Sequence, residues 1–264
     1  MVRIVLGELL MSIFWFEQSE VDVPVANDWL SEKEKLYLDG LRFPKRRDDW
    51  RLGRWTAKCS VAASLGLSPT LANLSFIEIW PDPSGAPEVF LAHEPADLTL
   101  SLSHRSGKAV CAVGPVDARI GCDLELIEPR HPAFLSDYFD TDEQAVVERT
   151  SQDLRALTIT LLWSGKESAL KAMRLGLRLD TRCLNVSLTD ASSSNERNLW
   201  LDAYPIRLLP SGSPHQETPV EDWHPFMVML RSVPAFIGWW RNQDQLVRTT
   251  VISHPTFRLP ATPP

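Results

Sequence analysis

Cysteine is scarce and scattered in this chain. Four cysteines occur in 264 residues, at Cys59, Cys111, Cys122 and Cys183. No two of them form a C-x-x-C pair and no histidine-rich segment accompanies them, so the sequence predicts neither a zinc site nor a disulfide framework. Unpaired thiols are typical of a reducing compartment, and we therefore expect a cytoplasmic protein.

An excess of positive charge is also missing, as are long apolar runs. The 34 acidic residues outnumber the 27 Lys and Arg, giving a net charge of −7, whereas general nucleic-acid binding depends on a basic surface. No run approaches the roughly 18 apolar residues of a membrane span. The apolar stretch 2–16 is interrupted by Glu8 and no small-residue cleavage site follows it, so it does not fit a signal peptide. We expect no nucleic-acid partner and no membrane association.

A pair of acids stands out in the segment Ile120-Gly121-Cys122-Asp123-Leu124-Glu125. Alternate side chains of a strand share a face, so Asp123 and Glu125 would point together. Neighbouring carboxylates repel each other unless a proton or a hard cation lies between them. Oxygen ligands suit Mg²⁺, which usually bridges to substrate phosphates. The opposite face would be apolar, formed by Ile120, Cys122, Leu124 and Leu126.

A second segment, Trp163-Ser164-Gly165-Lys166-Glu167-Ser168-Ala169-Leu170-Lys171, has the helical period. Glu167 and Lys171 are one turn apart, which is suited to a metal-bound diphosphate, with the ammonium group as a point charge. An ordinary exposed ion pair is the alternative interpretation. The predicted polar side comprises Ser164, Glu167, Lys171 and Arg174, and the apolar side Leu162, Ala169, Ala172 and Met173.

These two segments resemble the signature motifs of the 4′-phosphopantetheinyl transferases, in particular the larger, surfactin-type branch. The family patterns are G-[IV]-D-[IL]-E and W-[SCT]-x-K-E-[SA]-x-x-K. The first is matched except at Cys122, and the second is matched from Trp163 to Lys171. Two motifs in the expected order make this a specific signal.

Weaker family segments lie around these motifs, so the resemblance covers about residues 42–180. Residues 101–107 resemble S-[LI]-S-H-[ST]-x-G, and residues 45–54 resemble a basic helix that ends in Gly-Arg. Residues 138–143 resemble an aromatic-F-[ST]-x-x-E stretch. Its last residue, Glu143, could orient Lys166 or support the metal site, but a favoured acid at a helix start explains it nearly as well.

The resemblance implies transfer of the 4′-phosphopantetheine arm of coenzyme A to a carrier-protein serine, with release of adenosine 3′,5′-bisphosphate. It implies Asp123, Glu125 and Glu167 as ligands of Mg²⁺, with Mn²⁺ as an alternative ion. Glu167 would be the general base, and Lys171 would neutralise or protonate the departing phosphate oxygen. Asp123, Glu167 and Lys171 are thus the implied catalytic residues.

The implied contacts of coenzyme A come mainly from the first half of the chain. Ser103 and His104 match the family pair on the nucleotide phosphates, Arg46 and Arg54 match positions near the 3′-phosphate, and Lys171 also contacts the ligand. One departure concerns the turn at Gly85-Ala86-Pro87, where the family often has a lysine in place of Ala86. We expect weaker or altered phosphate contacts there, unless Arg105 or Lys108 compensates.

Hydrophobic periodicity predicts two similar halves. The family resemblance implies an α+β fold of two subdomains related by a pseudo-twofold axis, each a small, mainly antiparallel sheet packed with a long helix, with the active site between them. The predicted units are residues 1–117, 118–258 and a Pro-rich tail at 259–264. The predicted strands are 4–16, 74–80, 98–102, 109–113, one from Ile120, 184–188, 199–204 and 226–230. The predicted helices are 31–67, with a capping box at Ser31 and Glu34, and two that begin near Thr141 and Leu157. The predicted turns and loops are 81–87, 189–198 and 210–219.

The expected partners are coenzyme A and an apo acyl-, peptidyl- or polyketide-carrier protein, with the chain acting as a monomer. Two alternatives stay open. One is a binding module that keeps the fold and the carrier contacts without turnover, which the alanine at position 86 favours slightly. The other is a Mg²⁺-dependent nucleotide hydrolase that uses the same three acids.

Overall fold

Two sheets, each packed against one long helix, make up the protein. The computed structural model describes residues 13–188, 206–208, 223–254 and 257. The strands are β1 Ile13–Ser19, β2 Ile77–Pro81, β3 Pro87–Leu91, β4 Glu94–Arg105, β5 Lys108–Pro115, β6 Ile120–Leu126, β7 Leu184–Leu188, β8 Ile206–Leu208, β9 His224–Leu230, β10 Val233–Gln243 and β11 Leu246–Ser253. The helices are α1 Glu32–Gly40, α2 Pro44–Ser64, α3 Leu71–Phe76, α4 Ala133–Tyr138, α5 Thr141–Arg149 and α6 Arg155–Met173.

The two sheets repeat one topology. The first has the order β2-β3-β4-β5-β1-β8 and the second the order β6-β11-β10-β9-β7. In each sheet, one strand comes before the long helix and a meander of strands comes after the helix. The strand before the helix pairs with the last strand of the meander: β1 pairs with β5, and β6 pairs with β11. All pairings are antiparallel except that of β8, which lies parallel to β1. The predicted α+β fold of two related halves, here called the first lobe and the second lobe, is confirmed.

A buried ion pair anchors the long helix of the first lobe. Lys58 of α2 is fully buried and pairs with Glu34, the third residue of α1. The Lys58 ammonium also donates to the carbonyl oxygens of Trp29 and Leu74, at 3.1 and 3.0 Å. Glu34 accepts from the backbone N–H of Ile79 at 3.3 Å. One ion pair therefore ties α1, α2 and β2 together.

The second lobe has the same arrangement at the matching positions. Lys166 of α6 pairs with Glu143 of α5 at 2.6 Å and donates to the carbonyl oxygens of Thr181 and Leu184. Glu143 accepts from the backbone N–H of Val186 at 2.9 Å. Both glutamates also occupy the third position of a helix capping box. The duplication thus extends from topology to individual hydrogen bonds.

A hydrophobic cluster joins the lobes. Trp15 and Val110 of the first sheet and Cys122 and Trp239 of the second belong to it, and all four are at most 2% exposed. β6 also contacts β4 through side chains, since the Cys122 N–H donates to Ser101 Oγ at 2.9 Å. All four cysteines are free thiols. Within the described residues, no helix is both long enough and apolar enough to cross a membrane.

Several predicted elements differ from the observed ones. The single helix predicted over 31–67 is two helices, α1 and α2, because Pro44 lacks an N–H and begins a new helix. The strand predicted over 74–80 begins at Ile77, after the short helix α3. The prediction omitted β3, β10, β11 and α4. The predictions for residues 4–12, 199–204, both later loops and the tail from 259 lie outside the described residues.

The two sheets are formed by successive parts of the chain, with one exception. β5 ends at Pro115 and β6 begins at Ile120, so the chain passes from one sheet to the other between them. β8 is the exception, because it comes late in the chain yet pairs with β1.

Candidate active site

Gly121 lets α6 lie directly on β6. A Cβ atom at this position would stand 1.7 Å from the backbone oxygen of Ser168, far inside any tolerated contact. The predicted faces of both elements are confirmed: Ile120, Cys122 and Leu124 enter the cluster between the lobes, and Leu162, Ala169, Ala172 and Met173 enter the core of the second lobe. The acids of β6 therefore face the helix that carries Glu167 and Lys171.

Asp123 is the centre of the site. Its side chain is 5% exposed, and Lys171 Nζ lies 2.7 Å from its Oδ1. Ser103 Oγ donates to the same oxygen at 2.9 Å, and Ser164 Oγ donates to Oδ2 at 2.9 Å. The donors come from β4 of the first lobe and α6 of the second. Asp123 thus connects the two lobes at the bottom of the cleft.

The charge of Asp123 affects its neighbours. Burial raises the pKa of Glu125, and the negative charge of Asp123 raises it further, although Arg130 opposes this. Burial and the charges of Asp123 and Glu125 likewise raise the pKa of Glu167, against the opposing effect of Lys171. Burial alone would lower the pKa of Lys171, but Asp123, Cys122 and Glu167 together outweigh this effect and raise it. The three predicted acids and Lys171 are therefore brought together.

Glu125 is held by two groups that the sequence did not single out for this role. Trp163 Nε1 donates to its Oε1 at 3.2 Å, and Arg130 Nη2 donates to its Oε2 at 3.2 Å. Trp163 belongs to the second motif, but nothing in the local pattern distinguishes Arg130. Glu125 is therefore oriented from both α6 and the loop after β6.

A buried chain of hydroxyls supports Asp123 from below. Ser164 Oγ, which donates to Asp123, lies 2.8 Å from Thr249 Oγ1, and Ser168 Oγ lies 2.7 Å from the same Thr249 atom. All three hydroxyl residues are completely buried. Sequence analysis missed Thr249, because one threonine within β11 carries no local signal.

The donor set fits a hard divalent cation. Within the part of the chain that the structure describes, no three His, Cys, Asp or Glu side chains surround a common point as they stand, and Asp123 is paired with Lys171 instead. The chemistry is nevertheless suitable, since Asp123, Glu125 and Glu167 offer only oxygen ligands. Glu125 and Glu167 have raised pKa values partly because the acids repel one another, and a cation relieves such repulsion.

Arg46 and His104 meet at a cavity of about 460 Å³ in the first lobe, and Phe43, Lys45, Asp49 and Trp50 complete its lining. His104 directly follows Ser103, which points to Asp123. Adjacent residues of β4 therefore face two neighbouring sites.

Arg54 does not line that cavity. Its side chain is 11% exposed, its Nε lies 3.6 Å from Glu34 Oε1, and its guanidinium lies 4.7 Å from the ring centroid of Trp50. Burial lowers the pKa of Arg54, and the charge of Glu34 opposes that shift. Its observed contacts are those of a core residue.

A larger cavity of about 730 Å³ lies at the junction of the lobes. Its wall includes the turn at Gly85, Ala86 and Pro87 and the end of α6, with Lys171 among the lining residues. Volumes of this size are typical of small-molecule sites. Lys171 lines this cavity and also contacts Asp123, so one side chain connects the cavity with the acids.

Lys166 and Glu143 belong to the framework. Both side chains are at most 1% exposed and pair with each other. Burial raises the pKa of Glu143 to about 7, although Lys166 opposes the shift. Glu143 both orients Lys166 and caps α5, so it combines two of the roles that the sequence allowed for it.

Part of the chain is similar in sequence to known proteins. Residues 119–216 match the family model described as the 4'-phosphopantetheinyl transferase superfamily. The holo-[acyl-carrier-protein] synthases of Streptococcus agalactiae serotypes III and V are each 33% identical to the chain over 84 residues, which is 32% of this chain and 71% of theirs.

Two solved structures are also similar to part of the chain. A holo-(acyl-carrier-protein) synthase from Bacillus anthracis in complex with CoA (3',5'-ADP) is 21% identical, with a TM-score of 0.34, over 39% of this chain and 94% of that one. The Helicobacter pylori enzyme in complex with coenzyme A is 20% identical, with a TM-score of 0.25, over 39% and 98%.

The sequence match to the synthases includes more than two thirds of their length, and the family model begins at Arg119, just before the strand that carries Asp123 and Glu125. The chain therefore belongs to the 4′-phosphopantetheinyl transferase superfamily.

Proposed function

We propose that this protein transfers the 4′-phosphopantetheine arm of coenzyme A to a serine of an apo acyl- or peptidyl-carrier protein in a Mg²⁺-dependent reaction. Adenosine 3′,5′-bisphosphate is the second product. Family membership makes the chain a transferase; the metal, the products and the kind of carrier are the parts proposed. We also propose the surfactin-type branch, which the two lobes within one chain support.

One observation carries the proposal: Asp123 and Lys171 are paired at 2.7 Å where both lobes meet, with Glu125 and Glu167 within the reach of their charges. Negative and positive groups side by side suit a reaction in which a diphosphate must be held and then cleaved. A site for a neutral ligand would have no need of acids so placed that the charge of Asp123 raises the pKa values of both Glu125 and Glu167.

Each side chain has a task. Asp123, Glu125 and Glu167 would hold Mg²⁺, which screens the diphosphate charge when it is bound. Glu167 accepts the hydroxyl proton of the carrier serine while the serine oxygen forms a bond to the phosphorus next to the pantetheine. The bond from that phosphorus to the bridging oxygen breaks, and the Lys171 ammonium neutralises the departing phosphate. Ser103 and Ser164 keep the Asp123 carboxylate in place.

Coenzyme A would lie along the cleft. The cavity at Arg46 and His104 would take the 3′-phosphate, because it has the cationic groups and an apolar wall formed by Phe43 and Trp50. Arg54, proposed from the sequence for the same ligand, is the weaker candidate, since it is held against Glu34.

A single assay tests the function. The protein is incubated with coenzyme A, Mg²⁺ and a panel of apo acyl-, peptidyl- and polyketide-carrier domains, and carrier mass and adenosine 3′,5′-bisphosphate are measured. We expect the carrier to gain one phosphopantetheine. Cleavage of coenzyme A without labelling would instead show a hydrolase, and binding without turnover would show a binding module.

We further propose that the chain acts as a cytoplasmic monomer. One chain supplies both walls of the cleft, since Asp123 is contacted from β4 and from α6, and the free thiols fit a reducing compartment. In this proposal, residues 1–117 contact the ligand, residues 118–258 hold the metal and perform the chemistry, and residues 259–264 form a tail.

A further inference from the structure

Arg174 stands where the two lobes meet, at the end of α6. It caps the helix in the left-handed conformation, with φ of 57°, a conformation that costs an arginine energy. Its side chain crosses to the first lobe, where Nη1 lies 2.8 Å from Asp82 Oδ2 and 3.5 Å from Glu88 Oε1. Arg174 is one of the residues that line the 730 Å³ cavity.

That cavity is rich in positive charge. Lys171, Arg174, Arg178 and Arg119 line it, against Asp117 as its acid. In a chain of net charge −7, such a concentration indicates an anionic ligand. The turn on the opposite wall offers no cation, because Ala86 occupies it.

Glu167, Lys171 and Arg174 follow one face of α6 at spacings of four and three residues. With a rise of about 1.5 Å per residue, they extend over roughly 10 Å. A diphosphate whose reacting phosphorus lies by Glu167 and Lys171 would thus reach Arg174 with its far end. The Arg174 side chain is 40% exposed, so a ligand has access to it.

Asp82 does not depend on Arg174 for its own structure. Its Oδ1 accepts from the N–H groups of Ser84 and Ala86, at 2.7 and 3.0 Å, so these bonds keep the turn closed when Oδ2 is released. Arg174 can therefore exchange the acid for a phosphate, with which an arginine forms a strong paired contact.

We propose that Arg174 binds the phosphate of coenzyme A on the adenosine side of the diphosphate, and that Asp82 holds its guanidinium at the cavity wall until the ligand arrives. The inference rests on the proposed function and adds a ligand-binding residue to it. Arg174 supplies the positive charge that the turn at Ala86 lacks.

The test is calorimetric titration of adenosine 3′,5′-bisphosphate and of dephospho-coenzyme A, which lacks the 3′-phosphate, into the full chain. Arg174→Gln keeps the stem and the backbone strain but removes the charge. We expect it to weaken both ligands roughly ten- to hundredfold. Arg182→Gln is the matched control, since Arg182 pairs with Asp180 on the surface and does not line the cavity; we expect a change of less than about twofold.

The variant Asp82→Asn tests whether Arg174 binds the ligand or only joins the two lobes through its ion pair with Asp82. Asparagine keeps the acceptor for Ser84 and Ala86 but gives up the ion pair, so we expect equal or tighter binding. A loss as large as that of Arg174→Gln would overturn the inference, as would unchanged binding by Arg174→Gln or a loss confined to the bisphosphate. If the wild type bound neither these ligands nor coenzyme A, the proposed function would fall as well.

Discussion

Lys171 is the group whose removal should separate chemistry from metal binding. It lies 2.7 Å from Asp123 and donates to the Cys122 carbonyl oxygen at 3.1 Å. We expect Lys171→Met to lower kcat by about 100-fold or more, because the leaving phosphate loses its counter-charge. The Mg²⁺ concentration for half-maximal rate should not rise, since Lys171 offers no metal ligand and its removal frees the Asp123 carboxylate.

The measurement is the rate of bisphosphate release across a Mg²⁺ titration. Lys35→Met, which removes a lysine paired with Glu32 on the surface of α1, serves as the control and should keep the wild-type rate. Full recovery of Lys171→Met at high Mg²⁺ would contradict the assigned role.

Gly121 should tolerate no side chain. Its Cβ would lie 1.7 Å from the Ser168 oxygen, so Gly121→Ala must push α6 away from β6. We expect a loss of more than about 3 kcal/mol in the free energy of unfolding, measured by urea titration. Gly40→Ala is the matched control, because a Cβ added there would have no other atom within 4 Å; it should be neutral or stabilise by up to about 1 kcal/mol. Equal stabilities would contradict the close contact.

The paired helices α1 and α2 allow a test of the buried ion pair away from the active site. Lys58 and Glu34 are both fully buried. Lys58→Met leaves Glu34 with only its longer contact to Arg54, and Glu34→Gln leaves the Lys58 ammonium buried without a counter-charge, so each change alone should cost roughly 3–5 kcal/mol. The double variant should cost much less than the sum of the two.

A double-mutant cycle in urea gives the coupling energy directly. Additive losses would show that the two side chains contribute independently. Carrier labelling by the double variant should stay near the wild-type level, because the pair lies in the framework of the first lobe.

Sequence patterns identified β6 and α6, whose apolar residues share one face, and missed β11, which has polar residues inside; β3, β10 and α4 were missed as well. The faces of β6 and α6 were predicted correctly, since their apolar residues recur at strand and helix periods. β11 is buried along almost its whole length, yet Arg248, Thr249 and Thr250 occupy its middle. Arg248 pairs with Glu17, and Thr249 bonds Ser164. Partners that far away in the chain cannot be read from a local pattern.

The candidate site shows the same division. Asp123, Glu167 and Lys171 could be proposed from the sequence because they belong to two compact motifs. Thr249 and Arg130 were not, since each contributes one contact from a separate segment. The core position of Arg54 was equally invisible, because the glutamate that holds it lies in α1.

A cluster of charges holds the two lobes together, and it should respond to acid. Glu17 of β1 contacts Arg248 of β11 at 2.6 Å and Arg241 of β10 at 3.2 Å. Burial raises the pKa of Glu17, but the hydrogen bond and charge of Arg248, with Arg241 and Lys108, outweigh it and bring the pKa below its ordinary 4.5.

A lowered carboxyl pKa gives stability that is complete above the ordinary value and is lost as the pH falls through the folded-state value. We therefore expect the free energy of unfolding to fall below about pH 4.5, and Glu17→Gln to lack this part of the pH dependence. At pH 7 the variant should be less stable by about 3 kcal/mol, because Arg248 stays buried.

Chemical unfolding of both proteins between pH 3 and pH 7 provides the comparison. Asp244→Asn is the control, since Asp244 pairs with Lys108 in the same cluster but is 60% exposed; its stability at each pH should stay close to that of the wild type. Parallel pH curves for the wild type and Glu17→Gln would exclude Glu17 as the source.

The matched lysine and glutamate pairs of the two lobes have one more implication. An enzyme assembled from identical subunits must accept every substitution twice, once on each side of the shared groove. Here the halves keep a common skeleton but are encoded separately, so one side can lose or gain a charge while the other stays unchanged. In the proposed binding of coenzyme A, Ala86 on one wall and Arg174 on the other are such independent choices, so the two domains can change their ligand contacts one side at a time.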